Sequence, residues 1–313
     1  MFTTIQPCIR TGDFGRIKRD SDDYTRMTLF HMLPVPFRLE PTQDRMEQLH
    51  RECLWCALEF LTRRINLDLK RIRISYFSGG RLDRISGSTV TTDRFFAPDE
   101  ITVTTCKDFG MRADQLLPEV SPNTFLISSP VDSKFYSGYR FEIYYQMSDT
   151  LSLEIGTGEI LPWRQVQHNG VITDIDNSGC LVAAVGVGLE RCLMASNEFH
   201  RIDMCDHISP LVQDVSGSSS ATFRDSFRFV DAIRALHLII ADGGTIDTLN
   251  RRRRDHYRAL LKVLTEIAAR LSLSDKMLIR VLTDNGRLQP WLQELSGSEE
   301  TVQHEVAAYR DRQ

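Results

Sequence analysis

The sequence predicts an α+β fold: an antiparallel sheet flanked by helices, followed by a C-terminal helical region. Two patterns carry this expectation. The middle of the chain is a succession of short segments with apolar residues at every second position, the period of a half-buried strand. Before and after it the apolar spacing widens to three and four residues, the period of a helix. A run of strands with helices on either side argues for antiparallel pairing and against the strand-helix alternation of a Rossmann-type sheet.

The elements follow in order. Residues 43–62 form a helix, with Met46, Leu49, Cys53, Cys56, Ala57 and Phe60 at helical spacing. Cys53-Leu54-Trp55-Cys56 has the spacing of a redox or zinc half-site. No second such pair follows at ligand spacing, so both cysteines are read as small apolar residues on a buried face. Residues 69–77 alternate as a strand and end at the turn signal Gly79-Gly80, residues 86–105 supply strand and loop, and residues 139–146 form another strand. Residues 151–155, 171–175 and 180–185 are further short strands, the last two separated by an Asn177-Ser178-Gly179 turn. After the loop Gly217-Ser218-Ser219-Ser220, helices cover 227–240 and 257–271. A boundary near 215 divides the chain into domains 1–215 and 216–313, and the polar residues from Gly297 onward are expected to fray.

The totals exclude some functions. At 313 residues, with 42% apolar and 26% charged residues, the chain can bury a large core and is not a disordered segment. Lys plus Arg is 38 against 42 Asp plus Glu, a net charge of -4, so any nucleic-acid contact must be local. The sequence has no apolar run of membrane-spanning length, and its N-terminus has no signal-peptide pattern. The expectation is a cytoplasmic protein with no membrane partner. Seven cysteines, an odd number, are scattered at 8, 53, 56, 106, 180, 192 and 205 and make no disulfide framework in that compartment.

Gly186-Val187-Gly188-Leu189-Glu190-Arg191 is the most specific motif. Glycines let a backbone approach a ligand closely, and arginine holds two phosphate oxygens in its planar fork. The plain alternative is close strand-helix packing, with Arg191 paired to an acidic neighbour. Gln6-Pro7-Cys8-Ile9-Arg10 precedes this motif and Ile240-Ala241-Asp242-Gly243 follows it. In this order the segments resemble the class II aminoacyl-tRNA synthetases, and among them the catalytic domain of alanyl-tRNA synthetase. The resemblance implies that Arg191 contacts the phosphates of ATP. Residues 24–33 (Tyr-Thr-Arg-Met-Thr-Leu-Phe-His-Met-Leu) are similar to the family's second signature strand, one residue shorter, with His31 where the family has glutamate. This implies that Arg26 binds phosphate and carboxylate if a bulge absorbs the deletion, and that Phe30 either stacks on adenine or is a core aromatic. Gly138-Tyr139-Arg140-Phe141-Glu142-Ile143 resembles a segment beside the nucleotide. There Glu142 accepts from the adenine amino group, helps to hold Mg²⁺, or is a solvated strand carboxylate.

The departures concern the substrate. Ala184 stands where the family has the aspartate that holds the ammonium of alanine, Leu126 aligns with a pocket tryptophan, and Gly156-Thr157 replaces a Trp-Asn pair. Glu154 and Asp174 are the sequence-near carboxylates that could substitute at 184. The resemblance covers roughly residues 6 to 260, with neither the first class II signature nor the editing and oligomerisation domains, and so implies a truncated, stand-alone homologue. The expected function is ATP- and Mg²⁺-dependent activation of an amino acid or related carboxylate as an adenylate. Its acceptor is a tRNA, a carrier or a small molecule, and a homo-oligomer or partner subunit is implied. The alternatives are a catalytically degenerate, regulatory paralogue and a tRNA-binding accessory protein acting through Arg251 to Arg254, four residues that otherwise read as a solvated charge run.

Overall fold

The structure, a computed structural model, describes all residues except 1–4, 11–22, 41, 43, 82–93, 132–133, 169–170, 218–220, 246 and 313. The expected loop at 218–220 and residues 86–93 therefore lie outside the described residues. Along the chain run β1 (Gln6–Ile9), β2 (Leu29–Glu40), α1 (Met46–Glu59), β3 (Ile72–Phe77), β4 (Gly80–Arg81), β5 (Phe95–Phe96) and α2 (Glu100–Phe109). Then come β6 (Leu116–Glu119), β7 (Phe125–Val131), β8 (Lys134–Gln146), β9 (Ser152–His168), β10 (Val171–Gly188) and α3 (Leu189–Asn197). The helices α4 (Ser209–Gly217), α5 (Phe223–Ala241), α6 (Arg251–Arg270), α7 (Asp275–Leu288) and α8 (Glu299–Arg310) complete it. The chain divides into two compact units, one of Met1–Gln6 with Met32–Glu198 and one of Pro7–His31 with Phe199–Gln313.

The main sheet has the order β1-β2-β10-β9-β8-β3-β6, with β7 on β8. It is mixed rather than antiparallel throughout, because β3 and β6 run parallel. A parallel pair needs a crossover, and α2 lies in it. This helix occupies residues expected to be strand and loop from their threonine and valine content. Asp99 caps its first turn by accepting from the Thr102 amide at 3.0 Å, and Gly110, at φ 103°, ends it in the left-handed region. Well-formed ends outweighed a weak strand propensity.

Two other expectations are corrected. β10 is one strand, and Asn177-Ser178-Gly179 is an irregularity in it, between the register pairs Asn177↔Trp163 and Val182↔Leu161. Ser178 Oγ donates to the Pro162 carbonyl at 2.8 Å, so the turn-forming residues kink a strand that β9 keeps paired on both sides. On α1 the buried residues are Leu49, His50, Cys53, Leu54, Ala57 and Leu58, while Cys56 is exposed. The buried stripe is thus centred away from the expected one.

Helix α5 anchors the second unit. Thr28 donates to Asp231 through its amide at 2.7 Å and its hydroxyl at 3.0 Å, and Tyr24 packs edge-on against Phe223 and Phe227, with ring centroids 5.0 and 5.2 Å away. The fully buried Arg234 donates to Met27 Sδ at 3.1 Å and to Gln289 Oε1 at 3.2 Å. The residues after Gly297 form α8 instead of fraying, because Val302 and Val306 recur four apart and are buried.

Candidate active-site face on the sheet

Strands β8, β9 and β10 lie side by side in the first unit, and their register sets out a polar face. Arg140 pairs with Glu159, which pairs with Ala184; Glu142 pairs with Thr157, which pairs with Gly186. Directly paired residues project to the same side of a sheet. The alternate residues Phe141, Ile143 and Tyr145 are buried on the opposite side. The register between β8 and β9 shifts between Ile143↔Gly156 and Tyr144↔Glu154, leaving Ile155 as the extra residue of a bulge. That bulge reverses the alternation of β9 and brings Glu154 onto the face that carries Glu142 and Tyr144.

Glu142 lies at the bottom of this face, 3% exposed. Its amide donates to Ser75 Oγ of β3 at 3.2 Å. Its Oε1 meets the Arg140 guanidinium at 3.1 Å, while its buried Oε2 has no hydrogen-bond partner. Arg140 also donates to Thr157 Oγ1 at 3.1 Å and stands 3.9 Å from Glu159. Burial pushes the Glu142 carboxyl up to about 8; Arg140 and the Thr157 hydroxyl pull it down, and Glu154 and Glu159 push it up. Burial also raises Glu159, against the pull of Arg140. Tyr144 is pushed up to about 12 by burial and then by the carboxylates of Glu142, Glu154 and Glu119. The Arg140 guanidinium therefore meets two carboxyl groups, those of Glu142 and Glu159, while Glu154 adds a third to the same face.

The structure distributes the residues singled out from sequence. Glu142, Gly156, Thr157, Ala184 and Gly186 fall on the three adjacent strands. A Cβ at Gly186 would lie 2.7 Å from Met32 Cε, the end of a flexible side chain that can move aside, so packing does not by itself demand glycine there. Gly188 caps α3, and Arg191 lies in the first turn of that helix, partly buried. Leu126 packs on the apolar cluster of Tyr136, Leu161 and Val182. Arg26 and Phe30 belong to the second unit. Arg26 precedes β2, so strand alternation does not govern it; it is exposed and lies 3.8 Å from Asp23. Phe30 is on β2 with the Arg10 guanidinium 4.7 Å over its ring. Asp174 is exposed and accepts from the Ile175 amide at 2.8 Å, so the carboxylate paired with Ala184 is neither Asp174 nor Glu154 but Glu159.

Arg140 and Glu159 were not singled out from the sequence. The available signal was the two-residue strand period, which places Glu159 on the side of Thr157 and Arg140 on that of Glu142. In the second unit, Arg251 and Arg253 are exposed at the start of α6, and Asn250 caps the helix by accepting from the Arg253 amide at 3.0 Å. A cavity of about 480 Å³ there is lined by Ile9, Ile239, Asp242, Thr248, Arg253 and His256. No protein-family model matches the chain, and no curated protein matches it either.

Proposed function

We propose that this protein is a relative of the class II aminoacyl-tRNA synthetases that activates an amino acid or related carboxylate as its adenylate. The observation that carries this reading is the register Glu142↔Thr157↔Gly186. Glu142 and Gly186, in segments that resemble parts of one nucleotide site, flank Thr157, which stands where the family has part of a Trp-Asn pair, and Arg191 lies in the first turn of the helix that follows Gly186. In this reading the substrate carboxylate attacks the α-phosphate of ATP, forming the acyl-phosphate bond and releasing pyrophosphate. Arg191 neutralises charge that accumulates as the two anions approach. Mg²⁺ brought with the nucleotide would add to that neutralisation. Glu142 is a poor ligand for it, since the Arg140 guanidinium is 3.1 Å away.

ATP-pyrophosphate exchange across a panel of amino acids and amine-free carboxylic acids tests the proposal. Exchange with one or more acids is the expected result, with free L-alanine inactive because Ala184 offers no carboxylate. ATP binding without exchange for any acid would favour the second reading, a nucleotide-binding regulatory paralogue, which Ala184 also supports. A tRNA-binding role through the exposed Arg251 and Arg253 would appear as salt-dependent retention of tRNA that is lost when both are replaced by alanine.

A further inference from the structure

We propose that His50, Thr102 and Asp99 form an acid-sensitive latch in the first unit, which holds helices α1 and α2 against the back of β8 and is released by a proton on His50.

The inventory of protons carries this inference. All three side chains are buried. Thr102 Oγ1 donates to Asp99 Oδ2 at 2.7 Å and lies 2.9 Å from His50 Nε2. A hydroxyl has one hydrogen, so at Nε2 it can only accept, and the imidazole is the neutral tautomer with its proton on Nε2. Asp99 also accepts from the Thr102 amide at 3.0 Å, and its own amide donates to the Phe77 carbonyl at 2.8 Å, which ties the cap of α2 to the end of β3. His50 Nδ1, in contrast, is buried with no hydrogen-bond partner. A second proton has to enter there, where the ring becomes a charged donor with neither acceptor nor water.

Little around the ring answers that charge. The ring lies flat against Phe141 of β8, with planes 7° apart and centroids 6.1 Å away, so neither N–H points at the aromatic face. Tyr139 is stacked at 6.5 Å, and its phenol, pushed up to about 12 by burial, donates to the Ala97 carbonyl at 3.3 Å. The rows that continue from these two residues, Gly158 and Val185 beside Phe141, and Ile160 and Ala183 beside Tyr139, bring no charge. Cys53 on α1 and Cys106 on α2 are thiols raised by burial, so both stay neutral. Asp99 Oδ2 stands 3.5 Å from Nε2, the nitrogen already protonated, and Arg51 on the same helix repels a second positive charge. Burial accordingly lowers the affinity of His50 for a proton, with Asp99 opposing and Arg51 assisting. The stability it contributes is complete above the ordinary value of 6.5 and is lost as pH falls through the depressed one.

Pulse labelling of thiols with dithiodipyridine, read site by site by mass spectrometry, tests the latch in a Cys56→Ser background, which removes the exposed thiol of α1. Cys53 and Cys106 are fully buried and react only when α1 and α2 leave the sheet. Rates are corrected for the reaction of free cysteine at each pH. The ratio of rates at pH 5 and pH 7.5, divided by the same ratio in His50→Gln, should lie well above one. Its ceiling is about thirtyfold, the proportion of charged to neutral imidazole at pH 5 for a group of ordinary pKa 6.5. The division cancels Glu142, whose raised carboxyl acts in the opposite sense in both proteins. Cys205, in the second unit, should show no such ratio. A divided ratio near one at Cys53 and Cys106, or an equal one at Cys205, would overturn the latch. Should His50→Gln fail to fold, the background protein labelled with ¹⁵N-histidine decides alone. Its His50 ring should carry the proton on Nε2 and titrate below the ordinary value, and a ring protonated on Nδ1 or titrating at or above that value would overturn the latch equally.

Discussion

Replacing Glu142 by glutamine should make the protein more stable in alkaline solution and change it little in mild acid. The carboxyl is raised from 4.5 to about 8, chiefly by burial. A raised acid keeps its proton longer in the folded state, so its contribution is fully present below the unfolded value and is lost as pH rises through the folded one. Arg140 and Thr157 oppose the shift, Glu154 and Glu159 add to it, and all four stay in place in the variant. At about 1.4 kcal/mol per unit, the folded state loses on the order of 4 kcal/mol between pH 5 and pH 8.5 through this group alone. Glutamine keeps the shape and the contact with Arg140 but carries no ionisable proton, so that loss disappears. For a unit of this size the relative gain in midpoint between the two pH values is roughly 8 to 16 °C. Thermal unfolding of wild type and variant at pH 5 and pH 8.5, with urea unfolding as a second measure, checks this. A stability difference that is the same at both pH values would refute the argument that the side chain is buried with an uncompensated charge.

Gly158→Ala places a Cβ 2.0 Å from the Phe141 ring, and Gly138→Ala places one 2.0 Å from the Ile160 carbonyl. Both should destabilise by about 3 kcal/mol or more, but only the first should be relieved by Phe141→Leu, because its obstacle is a side chain and the other is backbone. Melting temperatures of the two glycine variants, each with and without Phe141→Leu, decide this. Arg191→Ala should weaken ATP binding about tenfold or more by calorimetry, as loss of one charge-assisted contact implies. Asp231→Ala leaves the Thr28 amide and hydroxyl without their acceptor and should destabilise the second unit by about 2 to 4 kcal/mol. Urea unfolding with a midpoint unchanged from wild type would contradict that account of how the segment Pro7–His31 is held.

Local pattern determined which segments take which secondary structure wherever a single period dominates. The strands around 69–77 and 139–146 and the helices around 227–240 and 257–271 were legible because one apolar face recurs without interruption. The α+β class followed from their order. The glycine-containing segment ending at Arg191 was legible too, as a strand running into a helix. Position Ala184 revealed that a carboxylate expected from the resemblance was missing, but its register partner could not be read along the chain. Tertiary structure decided the rest. Helix α2 and the parallel β3–β6 pair depended on caps and a crossover, and the continuity of β10 through Asn177-Ser178-Gly179 depended on pairing with β9. The polar face depended on register: a bulge of one residue at Ile155 brings Glu154 beside Tyr144, and cross-strand pairing sets Glu159 against Ala184. Periodicity is a property of neighbours in sequence, whereas charge balance and burial belong to residues brought together from different strands. The carboxyl of Glu142 is ordinary in the sequence, and it is the sheet around it that removes its water and raises its affinity for a proton.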